Sequence, residues 1–295
     1  MLKFTTSAPK VIQDIYQRPG AKDYFFMFDT PRELADFAKT CGGRVNAHSP
    51  DQWAGNVTGL QAVKMAQEGD LSGVASSDAM LEKFERFTFE AGRKAWSNDV
   101  CGSIPNVPAY VAGHPLAMRR RTRQDSAAAP IAVVVDLTTS GSITAEQIAK
   151  RGAAILALVR ILSTRRPVEL WAGTGLDADG RKNSVWTFAK IETAPLDLAT
   201  AAHVLTHASF PRILCYEISR QHHGYTGGWP YGAGPKMQFR PHLSAIVAPA
   251  FTHTAQTLCL PPLFMADESV NYPEKWIEAR LSELSPVDLA ATHGA

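Results

Sequence analysis

The stretch of residues 131–171 constrains the fold of this chain more than any other. Ile131–Leu137 is a short, almost uninterrupted apolar run rich in β-branched residues, which is typical of a strand buried on both faces. From Thr144 onward apolar residues recur at helical spacing, and Gln147 stands three places later, as in a capping box. A second apolar run begins at Val168. The order strand, helix, strand predicts a right-handed crossover unit and a sheet that is at least partly parallel.

Oxygen-bearing side chains stand at the carboxyl end of the first predicted strand, the edge where open α/β sheets bind ligands. Asp136 is followed by Thr138 and Ser140 at alternate positions, so the three side chains can converge from an extended segment. Oxygen ligands suit Mg²⁺, Ca²⁺ or Mn²⁺. The same groups can also cap the helix and satisfy loop backbone. The pattern leaves a metal site and a purely structural loop as alternatives.

The order Asp136-Leu-Thr138-Thr-Ser140 resembles the first motif of the von Willebrand factor A (vWA) family, Asp-x-Ser-x-Ser, with Thr in the middle place. This resemblance implies an α/β fold, a Rossmann-like (vWA-like) three-layer sandwich, and a metal-ion-dependent adhesion site for Mg²⁺ or another divalent cation. Thr226, beside two glycines, is the candidate for the Thr that this family supplies from a second loop. The family commonly places an Asp after a late strand, but Pro262 and Leu263 follow the strand candidate Thr257–Pro261 here. That departure puts the third acidic ligand in doubt.

The layout is also similar to uncharacterised proteins of tailed bacteriophages. The shared features are the Asn106–Gly113 segment, the arginine pair after Met118, the Asp136 loop and the helix that contains Arg151-Gly-Ala-Ala. The resemblance implies a phage or mobile-element origin. It therefore implies a cytoplasmic location in a bacterial host cell, or association with the virion, and no established activity.

Shifts in composition divide the chain into four parts. Residues 1–100 form a mainly helical N-terminal region, and residues 101–130 a connector rich in proline and arginine. Residues 131–285 form the vWA-like α/β domain, and residues 286–295 a tail. The helices predicted in the N-terminal region are Pro31–Lys39, Leu60–Gln67 and Ser77–Trp96. In the α/β domain, Asp177–Gly180 predicts a hairpin turn between two strands, and Leu196–Thr206 predicts a helix.

The connector combines prolines with scattered apolar residues. Proline disfavours regular structure, so the apolar side chains are expected to anchor an irregular segment to a core. These apolar residues are Ile104, Val107, Tyr110 and Val111.

Four arginines in five positions end the connector: Arg119, Arg120, Arg121 and Arg123. Arginine binds phosphates bidentately, so the cluster is a candidate for binding nucleic acid or a protein partner. No aromatic residue is interleaved with the arginines as a stacking platform, and the chain has a formal net charge of only +2. A protein partner is therefore favoured slightly over nucleic acid.

Histidines form a second candidate site. His203 and His207 stand four apart on a predicted helix and can share a zinc ion. The metalloprotease motif requires Glu directly after the first His, and Val204 stands there, so structural histidines are the favoured interpretation. The roles of His222 and His223, in a loop rich in glycine and aromatic residues, stay open.

Several function classes have no signature in the sequence. There is no glycine-rich phosphate loop with Lys, no Gly-x-Ser-x-Gly elbow and no spaced Cys/His dyad. The four cysteines form no Cys-x-x-Cys pair, and no apolar run is long enough to span a membrane, so no membrane partner is expected. The first hypothesis is a non-catalytic binding or assembly protein whose vWA-like domain engages a protein partner, with a divalent metal or without one. The alternatives are a nucleic-acid-associated protein and a metal-dependent hydrolase around Asp136 and the His-rich loop.

Overall fold

The computed structural model describes residues 10–13, 22–83, 95–102, 104–122, 130–164, 166–178, 183–222, 254, 256–263 and 268–284. The strands are β1 (Lys10–Gln13), β2 (Lys22–Phe28), β3 (Ala95–Asp99), β4 (Ile104–Pro105), β5 (Met118–Thr122), β6 (Ile131–Asp136), β7 (Val168–Ala178), β8 (Asn183–Ile191) and β9 (Gln256–Leu260). The helices are α1 (Pro31–Cys41), α2 (Gly43–Ala47), α3 (Gly59–Glu68), α4 (Val74–Lys83), α5 (Val107–Val111), α6 (Ala145–Ser163), α7 (Leu198–Thr206), a π-helical turn (Phe210–Cys215), α8 (Tyr216–His222), α9 (Glu268–Asn271) and α10 (Pro273–Glu283).

A six-stranded sheet in the order β1-β2-β8-β7-β6-β9 forms the centre of the molecule. Strand β6 pairs in parallel with β7 and with β9, and β2 pairs in parallel with β8. The β7–β8 hairpin and the β1–β2 pair are antiparallel. The predicted mixed α/β class, the partly parallel sheet and the hairpin are therefore confirmed.

Local sequence explains why the crossover unit forms where it was predicted. All six residues of β6 are buried, as expected for a central strand with an unbroken apolar run. Helix α6 begins after Thr144, whose side chain accepts a hydrogen bond from the Gln147 backbone N–H, while the Gln147 side chain accepts one from the Thr144 N–H. This capping box satisfies two backbone donors that the first helical turn leaves without partners.

Buried apolar residues separate by the side of the central sheet to which they point. Alternate residues of β6, Ile131, Val133 and Val135, belong to the main cluster, which also receives the buried residues of α1, α3, α7 and α10. The positions between them, Ala132 and Val134, belong to a second cluster, whose members come from strands alone among the described residues. In the described part of the chain, the helices that join these clusters therefore lie on one face of the sheet. They account for two of the three layers of the predicted sandwich, with which the mixed α/β arrangement is compatible.

The N-terminal region contributes a strand to the central sheet as well as helices. Helices α1 and α3 match the predicted positions, but β2 lies between β1 and β8 and so joins residues of both predicted regions in one sheet. The prediction of the third helix, Ser77–Trp96, is wrong at its C-terminal end. Helix α4 ends at Lys83, and Trp96 lies in β3, where it pairs with Arg121. Cross-strand pairing outweighs the helical spacing of apolar residues there. Residues 84–94 lie outside the described part.

The connector contains regular structure despite its prolines. Strands β3, β5 and β4 form a small antiparallel sheet, and α5 follows β4 with Pro108 in its first turn, where proline is tolerated. The predicted anchoring of the connector's apolar side chains is wrong, because Val107, Tyr110 and Val111 are 61%, 74% and 80% exposed. Ile104 is 47% exposed. Within the described residues, no helix is both long and apolar enough to cross a membrane.

Gly152 marks the place where α6 and α7 approach most closely. A Cβ added at Gly152 would lie 2.0 Å from the backbone oxygen of Leu205, which cannot move without shifting α7. We expect Gly152→Ala to lower the free energy of unfolding by about 1–3 kcal/mol, measured by urea denaturation. The control is Gly141→Ala, because a Cβ at Gly141 meets no atom within 4 Å. Equal denaturation midpoints for the two variants would contradict this contact.

Candidate functional site

One predicted site residue, Thr138, joins the loop after β6 to β7, and a second, Asp136, holds Thr138 in place. Asp136 and Thr138 are 2% and 3% exposed, and the Thr138 backbone N–H donates to Asp136 Oδ1 at 2.9 Å. The Thr138 hydroxyl accepts from the Gly175 N–H at 2.9 Å and donates to the Gly175 carbonyl at 3.2 Å. Both side chains therefore hold the loop at the carboxyl edge of the sheet.

The other side of the same loop is fastened to the segment after β9. The Leu263 N–H donates to the Thr138 carbonyl at 2.9 Å, and the Ser140 N–H donates to the Leu263 carbonyl at 3.2 Å. The Ser140 hydroxyl lies 2.9 Å from the Ser142 hydroxyl. The loop is thus held between the parallel strands β7 and β9, at the edge where the sequence placed a ligand site.

The predicted metal ligands are brought together only in part. Asp136 and Thr138 are joined by a hydrogen bond, but the Thr138 hydroxyl is occupied by Gly175, and the Ser140 hydroxyl contacts Ser142. Thr226 lies outside the described residues. Among the described residues, no group of three or more His, Cys, Asp or Glu side chains is arranged to hold a metal ion. In the described part of the chain, the oxygens of this loop hold its backbone in place.

Arg212, from the π-helical turn, lies directly behind the loop. Its Nη1 donates to the Trp53 carbonyl at 2.6 Å, and its guanidinium carbon lies 4.7 Å from the centre of the Trp53 ring. Its Nη2 donates to the carbonyls of Ile143 at 2.7 Å and Ser140 at 3.3 Å, and to the Thr139 hydroxyl at 3.2 Å. One side chain therefore joins the loop to the N-terminal region of the chain.

The charge of Arg212 is buried without an ion pair. The residue is 4% exposed, and burial lowers the pKa of its guanidinium to about 10, with Asp51 acting in the opposite direction at longer range. No described carboxylate forms a salt bridge with Arg212, and its Nε has no hydrogen-bond partner among the described residues. Carbonyl oxygens compensate a buried cation less completely than a carboxylate does. The loop therefore carries an excess of positive charge behind it.

Thr139 is the residue of the loop whose side chain contacts Arg212. Its side chain is half-buried, and its hydroxyl oxygen accepts from Arg212, so the hydroxyl proton must point elsewhere. No described residue accepts that proton. A hydroxyl that accepts from a cation is a stronger donor to a third group. The Thr139 hydroxyl thus keeps a donor that no described residue uses.

A small, shallow cleft of about 20 Å³ opens beside this loop. Its lining combines hydroxyls, aromatic rings and the Arg212 guanidinium: Trp53, Leu137, Thr138, Thr139, Thr174, Leu176, Pro211, Arg212 and Tyr216. No described carboxylate, histidine or cysteine lines it. Such a set can bind a small acidic group by donated hydrogen bonds.

Sequence reasoning placed the loop correctly but missed Arg212 and Thr139. The segment 211–220 reads as a short apolar helix, and arginine on such a helix is ordinarily exposed. The available signal was a single charge directly before Ile213, Leu214 and Cys215, all of which are fully buried. A lone arginine in an unbroken apolar run predicts a buried side chain that needs acceptors.

The two helical histidines lie together in the core. His203 is fully buried, and its ring centre lies 5.5 Å from that of His207. His207 Nδ1 accepts from the Ser209 N–H at 3.2 Å, whereas neither ring nitrogen of His203 bonds to a described residue. Burial, together with the neighbouring His207, lowers the pKa of His203 to about 3. A structural pair fits this geometry. The His222 side chain and all of His223 lie outside the described residues.

The structure brings three of the four clustered arginines onto one strand. Arg119, Arg120 and Arg121 lie in β5, paired with Asn98, Ser97 and Trp96 of β3. Arg119 is exposed. Arg123 and the side chains of Arg120 and Arg121 lie outside the described part.

Comparison with known proteins gives one match. A family model described as "Domain of unknown function (DUF7192)" matches residues 13–284, which is most of the chain. Searches of curated proteins and of solved structures gave no match.

Proposed function

Because the chain belongs to the DUF7192 family, whose function is unknown, we propose a function from its own site: a non-catalytic binding protein whose loop after β6 engages a protein partner. The fold that accompanies this proposal is vWA-like, a Rossmann-like three-layer sandwich. The crossover unit β6-α6-β7 and the position of Asp136 at the carboxyl end of β6 support it. The proposed location is the cytoplasm of a bacterial host cell, or the virion.

The buried charge of Arg212 behind Thr139, with which no described carboxylate forms a salt bridge, carries the proposal. A partner that presents an Asp or Glu side chain would place a carboxylate against a hydroxyl whose oxygen already accepts from a buried guanidinium. The carboxylate would gain a charge-assisted environment that a neutral group would not. The loop is held on both sides, so little conformational entropy is lost when the partner binds.

A divalent metal in the same loop is the second way in which a partner carboxylate could be held. Asp136, Thr138, Ser140 and Thr226 would then be its ligands, and the metal would bridge the loop and the carboxylate. The geometry supports this less, because Arg212 lies at hydrogen-bond distance from Thr139 and repels a second cation. Direct recognition of the carboxylate is therefore the version that we propose.

The two remaining functions have less support. Nucleic-acid binding through Arg119, Arg120, Arg121 and Arg123 is the first alternative, but the segment before them exposes mainly aliphatic side chains, which do not stack on bases. A metal-dependent hydrolase around Asp136 is the second. It requires an ionisable group in the cleft, and the described lining contains Arg212 and Tyr216 but no carboxylate or histidine.

Capture of the partner from an extract of the source cells tests the proposed function. We expect Thr139→Val to reduce capture of the partner about tenfold or more, because it removes one hydrogen bond to a charged group. The matched control is Thr40→Val, at an exposed position on α1, which should capture normally. Chelation of divalent cations should leave capture unchanged.

Two results would contradict this proposal. Equal capture by wild type and Thr139→Val would remove Thr139 from the interface. Loss of capture on chelation, restored by Mg²⁺, would replace direct recognition with the metal-bridged form.

A further inference from the structure

Exposed apolar side chains concentrate in one part of the chain. Of the nine large apolar residues that are exposed among the described residues, six belong to residues 100–116: Val100, Ile104, Val107, Tyr110, Val111 and Leu116. Helix α5 contains no buried residue, and Val111 reaches 80% exposure. Exposed apolar side chains gathered in one short segment mark a place where a protein meets another molecule or a membrane.

Positive charge is concentrated in the same segment. Between Val100 and Gln124 the sequence contains no Asp or Glu, but it contains all four clustered arginines, in a chain whose formal net charge is only +2. Strand β5 places Arg119 directly opposite Ile104 of β4. We call residues 100–122 the cationic apolar segment. It combines exposed aliphatic groups with basic groups and excludes acidic ones.

We propose that the cationic apolar segment binds the surface of an anionic phospholipid bilayer. The aliphatic side chains of α5 and β4 enter the boundary between headgroups and acyl chains, and the exposed Arg119 of β5 contacts the anionic headgroups. This surface mode needs no spanning helix, so it does not conflict with the lengths of the apolar runs, but it replaces the expectation that the protein has no membrane partner. The surface lies in the small sheet and is distinct from the loop after β6.

The composition of the segment favours a bilayer over a protein partner and over single-stranded nucleic acid. Protein interfaces depend on Trp, Tyr and Arg in pockets, and Val and Leu are under-represented among their strongly contributing residues. Three of the six exposed residues here are valines, and one is a leucine. Single-stranded nucleic acid requires several aromatic platforms, and Tyr110 is the one exposed aromatic side chain described in the segment. A lipid boundary accepts aliphatic groups of any shape.

Sedimentation of the full chain with vesicles tests this proposal. We expect binding to vesicles of phosphatidylcholine mixed with phosphatidylserine, weak binding to vesicles of phosphatidylcholine alone, and a loss of binding as salt is raised. The double variant Val107→Ser, Val111→Ser should weaken binding at least about tenfold, because two apolar groups no longer leave water. Arg119→Gln should weaken it about fivefold.

The matched control is the double variant Leu60→Ser, Leu71→Ser, which removes two exposed apolar residues elsewhere. It should bind vesicles like the wild type, and all variants should melt like the wild type, since every changed residue is exposed. Absence of vesicle binding would overturn the proposal, and so would equal binding by the two double variants. A concentration-dependent mass in light scattering that only Val107→Ser, Val111→Ser abolishes would indicate that a second copy of the chain covers the segment instead. Binding to single-stranded DNA that depends on Arg119 but not on the valines would also overturn it.

Discussion

Arg212→Met is expected to lower the free energy of unfolding by about 3–5 kcal/mol. The methionine fills similar space but removes the guanidinium donors from the carbonyls of Trp53, Ile143 and Ser140. The Ser140 carbonyl keeps the Ile143 N–H as a donor. Each hydrogen bond lost from a charged donor in a buried place costs about 1–3 kcal/mol, and partial relaxation of the loop reduces the sum. Urea denaturation would measure the loss. Hydrogen exchange should show faster exchange at residues 138–143 than in the wild type.

The control for this variant is Arg160→Met. Arg160 forms a salt bridge with Asp78 whose carboxylate is half-exposed, so its removal should cost no more than about 1 kcal/mol. A finding that the two arginine variants are equally stable would mean that Arg212 does not hold the loop. The free energy of unfolding of Arg212→Lys should fall between those of Arg212→Met and the wild type. Lysine keeps the charge but lacks the planar guanidinium whose N–H groups reach three elements at once.

The second large effect is an acid-dependent loss of stability that originates at His203. In the unfolded chain this histidine takes up a proton near pH 6.5, whereas burial lowers its pKa in the folded state to about 3. Between these values the unfolded state binds a proton that the folded state does not bind. Stability is therefore fully present above pH 6.5 and decreases as the pH falls toward 3. At pH 4.5 the loss attributable to His203 should be roughly 2–3 kcal/mol.

His203→Leu should remove most of that loss. Neither ring nitrogen bonds to a described residue, so an apolar replacement of similar size leaves no new group unsatisfied. We expect stability at pH 7 close to the wild type and a smaller change between pH 7 and pH 4.5 in urea denaturation. Nearby ionisable groups are His207, whose pKa is also lowered by burial, and Asp70, which acts in the opposite direction on both. The exposed His114→Leu is the control, and an unchanged pH dependence in His203→Leu would refute the assignment.

Sequence predicted the parts of the fold that depend on local signals. The crossover unit was predictable because β6 is an unbroken apolar run and because Thr144 and Gln147 stand at capping-box spacing. The hairpin was predictable from turn residues between two alternating patterns. The loop at the end of β6 followed from the general rule for ligand sites in open sheets.

The parts that depend on distant contacts were beyond sequence patterns. The apolar residues of α5 have the same composition as a buried segment, and only the fold shows that nothing described covers them. The apolar run around Arg212 indicates that its side chain is buried, but its acceptors come from Trp53 and Ile143, far away in sequence. A periodic sequence pattern shows which residues are apolar but does not show which residues they contact in the folded chain.

The pairing of β2 with β8 determines the order in which the chain can fold. These neighbours in the sheet are separated by more than half the length of the sequence. During synthesis β2 leaves the ribosome long before β8 exists, whereas β6, α6, β7 and β8 follow one another and can associate at once. The apolar residues of β2 therefore have no β8 to pair with until that unit has been synthesised. A fragment cut at residue 100 would therefore expose an unpaired strand and aggregate, and the shortest fragment that can pair β2 in the sheet must extend through Ile191.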